Sequence, residues 1–204
     1  MNPFFFGPSD NPLYGVLHPA DDASFRDECV VLCNPFGQEY ERDHRAFKII
    51  ATNLARLGYE VLRFDYNGTG DSGGDGATIS LGQWRNNILT AVAEVKECSG
   101  SEAVSLVGLR LGATLALDAS ADVEHLVRCV CWDPILDAAS YKEEIRHYLE
   151  PEYLPALDNP DADLYLNGYP LPASFRRELG SISLAGARLG DADYVVLSSH
   201  QSEA

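Results

Sequence analysis

Positive charge is scarce in this sequence. Fifteen lysines and arginines stand against 31 aspartates and glutamates, a formal net charge of −16. No basic cluster appears along the chain. Nucleic acid and anionic membrane surfaces reward such clusters, so neither is expected as a partner. Long apolar runs are missing as well: none reaches the roughly 18–20 residues that span a bilayer. The opening MNPFFFGPSD has an aromatic triplet but no basic leader, and does not read as a signal peptide. Cysteine occurs at positions 29, 33, 98, 129 and 131, an odd count with no C-x-x-C pair. That pattern excludes a disulfide framework and fits buried free thiols in a reducing cytoplasm. Histidines 18, 44, 125, 147 and 200 lack metal-ligand spacing. No metal and no cofactor is expected.

What remains is ordinary material for a soluble fold: 204 residues, 46% apolar and 23% charged, enough for one domain with a sizeable core. Several runs are of strand length. CVVLC (29–33), YEVLRF (59–64), VSLV (104–107), LVRCVCW (126–132) and YVVL (194–197) are apolar with little alternation, as in strands covered on both faces. Leu13–His18 is a shorter candidate. Between them lie helical patterns. Phe47, Ile50, Ala51, Leu54 and Leu57 share one face, as do Trp84, Ile88, Ala91, Val92 and Val95. Asp43 is placed to cap the first of these helices, and a third is expected over 111–120. Strands alternating with helices predict a mostly parallel sheet with helices on both faces. The rhythm breaks after Asp133. Residues 137–180 are rich in proline and hold only short helical fragments, which predicts an insertion over one edge of the sheet. The expected organisation is a core at 1–136, a cap at 137–180, and a last core strand and tail at 181–204.

Gly108-Leu-Arg-Leu-Gly112 follows a strand and opens a small-residue helix. This is the frame of a nucleophile elbow, G-x-S-x-G, with Arg110 where the serine belongs. Three further pieces occur in order: NPFGQE (34–39) after a strand, FDYNGTGDSGG (64–74) after the next, and the 137–180 insertion. Together they resemble the α/β-hydrolase family over nearly the whole chain. FFFGP, NPFGQEYERDHRAF, VLRFDYNGTGDS and GLRLGATLAL resemble its serine-aminopeptidase-like branch, which includes bacterial hydrolase-like proteins associated with exosortase systems. The resemblance implies a three-layer fold, an oxyanion pocket made by the backbone N–H groups of Phe36 and Leu111 beside Gly37, and a structural role for Ser72.

Acyl transfer in this fold requires a nucleophile, a histidine base, an acid and an oxyanion pocket. A guanidinium stays protonated and offers no lone pair, so Arg110 is no nucleophile. Two roles stay open for it: an internal salt bridge to Glu39, Asp65, Asp71 or Asp133, or a grip on an anionic ligand. Asn34, Glu39, His44 and Asp133 are candidate pocket residues. By the resemblance, the catalytic acid and histidine would follow further strands. His200 comes too early and Glu203 has no histidine beyond it. The expected fold therefore lacks the last strand and helix. It would leave Tyr194–Leu197 as an edge strand that a second copy or another partner covers, unless the chain is a fragment of a longer protein. Two functional readings follow. One is a catalytically impaired homologue binding a small anionic or acyl ligand, or a partner, at the former active-site edge. The other is an active hydrolase of ester, thioester or amide bonds.

Overall fold

The computed structural model describes residues 1–159, 161–166, 168–184 and 189–199. His200 and Glu203 lie outside them. Strands β1 (Asn2–Phe6), β2 (Leu13–His18), β3 (Cys29–Cys33), β4 (Glu60–Phe64), β5 (Val104–Leu109), β6 (Leu126–Trp132) and β9 (Asp193–Leu197) form one sheet in the order β1-β2-β4-β3-β5-β6-β9. The first two pairings are antiparallel and the rest parallel. Helix α1 (Gln38–Arg56) covers one face, and α2 (Leu81–Ser99) with α3 (Leu111–Ala119) covers the other.

Strand periodicity explains the layering. In β3, Val30 and Leu32 pack with Phe47 and Ala51 of α1, while Cys29, Val31 and Cys33 join the cluster containing Trp84, Ile88 and Leu115. Side chains alternate across a sheet, so a five-residue apolar run feeds both layers at once. A strand open to water on one side would alternate in polarity instead.

Two elements differ from the sequence reading. The triplet Phe4–Phe6 belongs to β1, an antiparallel edge strand whose Phe6 is buried and whose Phe5 is exposed. Helix α1 begins at Gln38 with Gly37 as its N-cap, so Asp43 lies inside the helix and caps nothing. The first turn is polar because it faces the rim of the sheet, and a search for apolar spacing finds the helix only from Phe47 onward.

The insertion carries α4 (Ala138–Tyr148), α5 (Leu154–Asp158), a small hairpin of β7 (Leu164–Leu166) and β8 (Tyr169–Leu171), and α6 (Ala173–Leu179). It docks through aromatic rings. Phe175 of α6 lies with its ring centroid 5.0 Å from Trp84 and 5.4 Å from Phe36, and Trp84 stacks on Tyr66 at 4.8 Å. Polar ties add to this: Tyr169 donates to Glu41 at 2.8 Å, and the Leu81 N–H donates to Glu178. No helix among the described residues is long and apolar enough to cross a membrane.

His18 closes β2 and is buried. Its Nε2 accepts from Arg63 Nε at 3.1 Å. Burial first, and the Arg63 charge second, push its pKa from 6.5 down to about 4. Between those values the unfolded chain holds a proton that the folded chain lacks, so stability falls as the pH drops through this window and is flat above it. The expected loss from this group is about 3 kcal/mol between pH 6.5 and 4. Urea midpoints across that range should fall less steeply in His18→Gln, which keeps an acceptor for Arg63 without a basic ring. Equal slopes for the two proteins would refute the assignment.

Candidate functional site

The turn from β5 into α3 demands two glycines. A Cβ on Gly108 would meet Ala113 backbone, and one on Gly112 would press on the carbonyl oxygens of Cys33 and Asn34, all closer than 3.0 Å. With those side chains absent, the helix start sits directly against the ends of β3 and β5. Arg110 between them takes φ 54° and ψ −120°, a region costing a non-glycine residue about 1–3 kcal/mol. Its N–H is held by the Trp132 carbonyl at 2.9 Å, and its carbonyl accepts from Ala113 and Thr114. The backbone is that of an elbow, and its central side chain stands above the sheet edge.

Each nitrogen of the guanidinium is engaged. Nε donates to Glu39 Oε1 at 2.9 Å, Nη1 to the Asp133 carbonyl at 3.1 Å, and Nη2 to Glu144 Oε2. Arg110 is 15% exposed, against 31% for Glu39 and 43% for Glu144, so the pair with Glu39 is the drier one. Burial holds the Glu39 carboxyl above its ordinary pKa even though Arg110 pulls the other way. Glu39 comes from α1 and Glu144 from α4. The arginine thus joins the core to the cap.

The expected partners sort differently from the sequence reading. Asp133 contributes only its carbonyl to Arg110, while its carboxylate accepts from the N–H and hydroxyl of Ser199. Asp65 and Asp71 turn away from Arg110. Asp65 accepts from the Tyr40 hydroxyl at 2.7 Å and from the Asp71 N–H at 3.1 Å. Consecutive helical residues diverge by about 100°, so Glu39 faces the elbow and Tyr40 faces a separate cavity. Asn34 and His44 line that second cavity. Asn34 is buried and donates to the Phe64 carbonyl. The four candidate pocket residues therefore divide, with Glu39 and Asp133 at the elbow, His44 behind α1, and Asn34 between, its carbonyl against Gly112 while it lines the second cavity.

Glu144 was missed by the sequence reading. Its signal is faint: Tyr141 and Ile145 mark the buried face of α4, and position 144 lies beside them at helical spacing. Phe36 is buried in the aromatic cluster, and Gly37 turns into α1 with φ 64°. The Leu111 N–H opens α3, where helical geometry supplies no acceptor. Ser72 donates to the Asp65 carbonyl at 2.6 Å and accepts from the Tyr14 N–H at 2.8 Å, a stitch between loop and sheet. Cys33 is fully buried beneath the elbow, and burial raises its thiol pKa, so it does not serve as a thiolate.

Two cavities flank α4. One of about 170 Å³ lies beside the arginine, lined by Phe36, Glu39, Tyr141, Glu144, Ile145 and Leu166. A larger one of about 430 Å³ is lined mainly by apolar residues including Tyr141, Ile145, Leu157, Leu171 and Leu179, with Lys142 and Arg176 at its walls. Tyr141 and Ile145 border both.

The sheet order, the elbow and the cap define an α/β-hydrolase fold. A family model described as serine aminopeptidase, S33, matches residues 26–153, and the chain belongs to that family. Among relatives of established name, it is 39% identical over 64 residues to the palmitoyl-protein thioesterase ABHD10, mitochondrial, of Rattus norvegicus, covering 31% of this chain and 20% of that protein. It is 27% identical over 157 residues to an acyl transferase of Photobacterium phosphoreum, covering 75% of this chain and 48% of the other. The matches thus span a fifth to a half of those relatives. In fold it is similar to Est1E from Butyrivibrio proteoclasticus, with a TM-score of 0.68 and 19% identity over 97% of this chain and 77% of that one.

Proposed function

We propose that this chain is a hydrolase-family protein that binds an acyl ligand without cleaving it through an elbow nucleophile. The observation that carries the reading is Arg110: the position that would attack an acyl carbonyl holds a protonated group already tied to Glu39, Glu144 and the Asp133 carbonyl. No side chain among those lining the small cavity beside it is a serine, cysteine or histidine. The acyl class is supported by the names of the thioesterase and acyl transferase relatives and by the apolar cavity in the cap. In this reading the ligand's chain fills the larger cavity. Its carboxylate replaces Glu144, the more exposed of the two acidic partners, on the guanidinium.

The elbow backbone favours a second reading. Its turn and the Leu111 N–H suit a tetrahedral oxyanion, so an active hydrolase using an activated water is the alternative.

One experiment separates the two. Purified protein, Arg110→Ala and a heat-denatured control are assayed on short p-nitrophenyl esters and an acyl thioester, then melted with and without decanoate. The expected result is no turnover above the control, and a rise in melting temperature with decanoate in the wild type that Arg110→Ala lacks. Turnover by the wild type overturns the binding reading and supports the hydrolase.

A further inference from the structure

Arg63 breaks the pattern of its strand. On β4, Val61 packs into the apolar layer under α1 with Val30, Leu32 and Phe47. Two residues on, the same face carries an arginine. Arg63 is half-buried, and Nε donates to His18. Its two Nη groups have no hydrogen-bond acceptor, and no carboxylate lies within 4.0 Å of the guanidinium, among the described residues. Asp65 attracts its charge through space without a hydrogen bond, which leaves the two Nη groups open at the cavity.

The guanidinium borders a polar cavity of about 350 Å³ between α1 and the β2–β4 edge, lined by Tyr14, Asn34, Tyr40, His44, Lys48 and Arg63 among others. Lys48 and His44 sit on successive turns of α1, four residues apart, and both are exposed at the cavity. Asp65 and Asp71 line the cavity too, and Asp65 accepts from the Tyr40 hydroxyl and the Asp71 N–H. In a chain of net charge −16, this pocket sets Arg63 and Lys48 beside Asp65 and Asp71, with the two Nη groups and the ammonium as the donors left for a ligand.

We infer that the cavity behind α1 is a binding site for a small oxyanion, a phosphate or carboxylate group, held by Arg63 at its floor and Lys48 at its rim. This cavity is distinct from the one beside the elbow: Tyr40 borders this one and its neighbour Glu39 borders the other. A planar guanidinium offers two parallel N–H groups to such an anion, and the lysine adds a point charge.

The test is calorimetric titration of the purified chain with sodium phosphate and, separately, with sodium succinate, at ionic strength fixed with sodium chloride. The expected result is saturable one-site binding of at least one anion. Which anion binds tells a phosphate ligand from a carboxylate ligand. Arg63→Gln should weaken binding about tenfold or more, the loss of a charge-assisted contact. Lys48→Gln should weaken it about threefold, and Arg128→Gln, an equal loss of charge on β6 outside this cavity, should leave it unchanged. Lys48 is exposed, so its variant decides the matter if Arg63→Gln does not fold. Absence of saturable binding by both anions, unchanged binding in Lys48→Gln and Arg63→Gln, or a loss confined to Arg128→Gln would each overturn the assignment.

Discussion

Arg110→Met should lower stability by about 2–3 kcal/mol at pH 7, a figure below that for a fully buried pair because both carboxylates keep some access to water. Methionine matches the length of the arginine stem but abandons three contacts at once: Glu39, Glu144 and the Asp133 carbonyl. Most of the loss comes from Glu39, whose carboxyl is already raised by burial and would lose the cation that restrains it. The sign of the pH dependence follows. With its folded pKa raised further, Glu39 takes up a proton on acidification and no longer needs a partner. The deficit should therefore shrink as the pH falls from 7 toward 5. Thermal melts should show a drop of roughly 4–12 °C at neutral pH. Arg110→Lys should recover only part of it, since an ammonium cannot reach all three partners in one geometry. A deficit that grows on acidification would mean that Glu39 is not the group left stranded.

Gly112→Ala should be still more damaging, costing about 4 kcal/mol or more. The new methyl would be driven against the carbonyl oxygens of Cys33 and Asn34, which are backbone atoms at the end of a central strand. They cannot step aside as a side chain can. Either α3 lifts off the sheet or β3 shifts against its neighbours, and both movements disturb the elbow. Gly82→Ala is the matched control. It lies in the first turn of α2 with nothing within 4 Å of where a methyl group would sit, so the same substitution there should be neutral or stabilise by about 0.5–1 kcal/mol. Comparable chemical-denaturation midpoints for the two variants would show that the close approach at Gly112 tolerates a methyl group.

The fold was readable where physics is local. Central strands such as Cys29–Cys33 announce themselves because both faces are covered, and the elbow announces itself because two glycines are needed at fixed spacing. Elements at the rim were harder. Strand β1 rests on one buried ring, Phe6, beside an exposed one, Phe5, and the first turn of α1 buries little. The site was legible in part. That Arg110 stands at the elbow follows from its frame, and Glu39 was among the partners expected for it. Glu144 reaches the arginine from a cap helix 34 residues away, and no local spacing encodes that approach. Asp65 and Asp71 lie in the correct loops, but Asp65 accepts from the Tyr40 hydroxyl and the Asp71 backbone N–H, a choice made by the rotation of α1 rather than by position in sequence.

The aromatic joint between cap and core has an optical consequence. The chain has two tryptophans. Trp84 is sealed against Phe175 of the cap and stacked on Tyr66, whereas Trp132 is 36% exposed at the end of β6. Their emission should differ in colour and in access to a soluble quencher such as iodide. The blue component reports on the seam itself, because any separation of α6 from α2 hydrates one indole and leaves the other as it was. The protein therefore carries its own fluorophore for cap motion, with an internal reference in the same spectrum and no label attached.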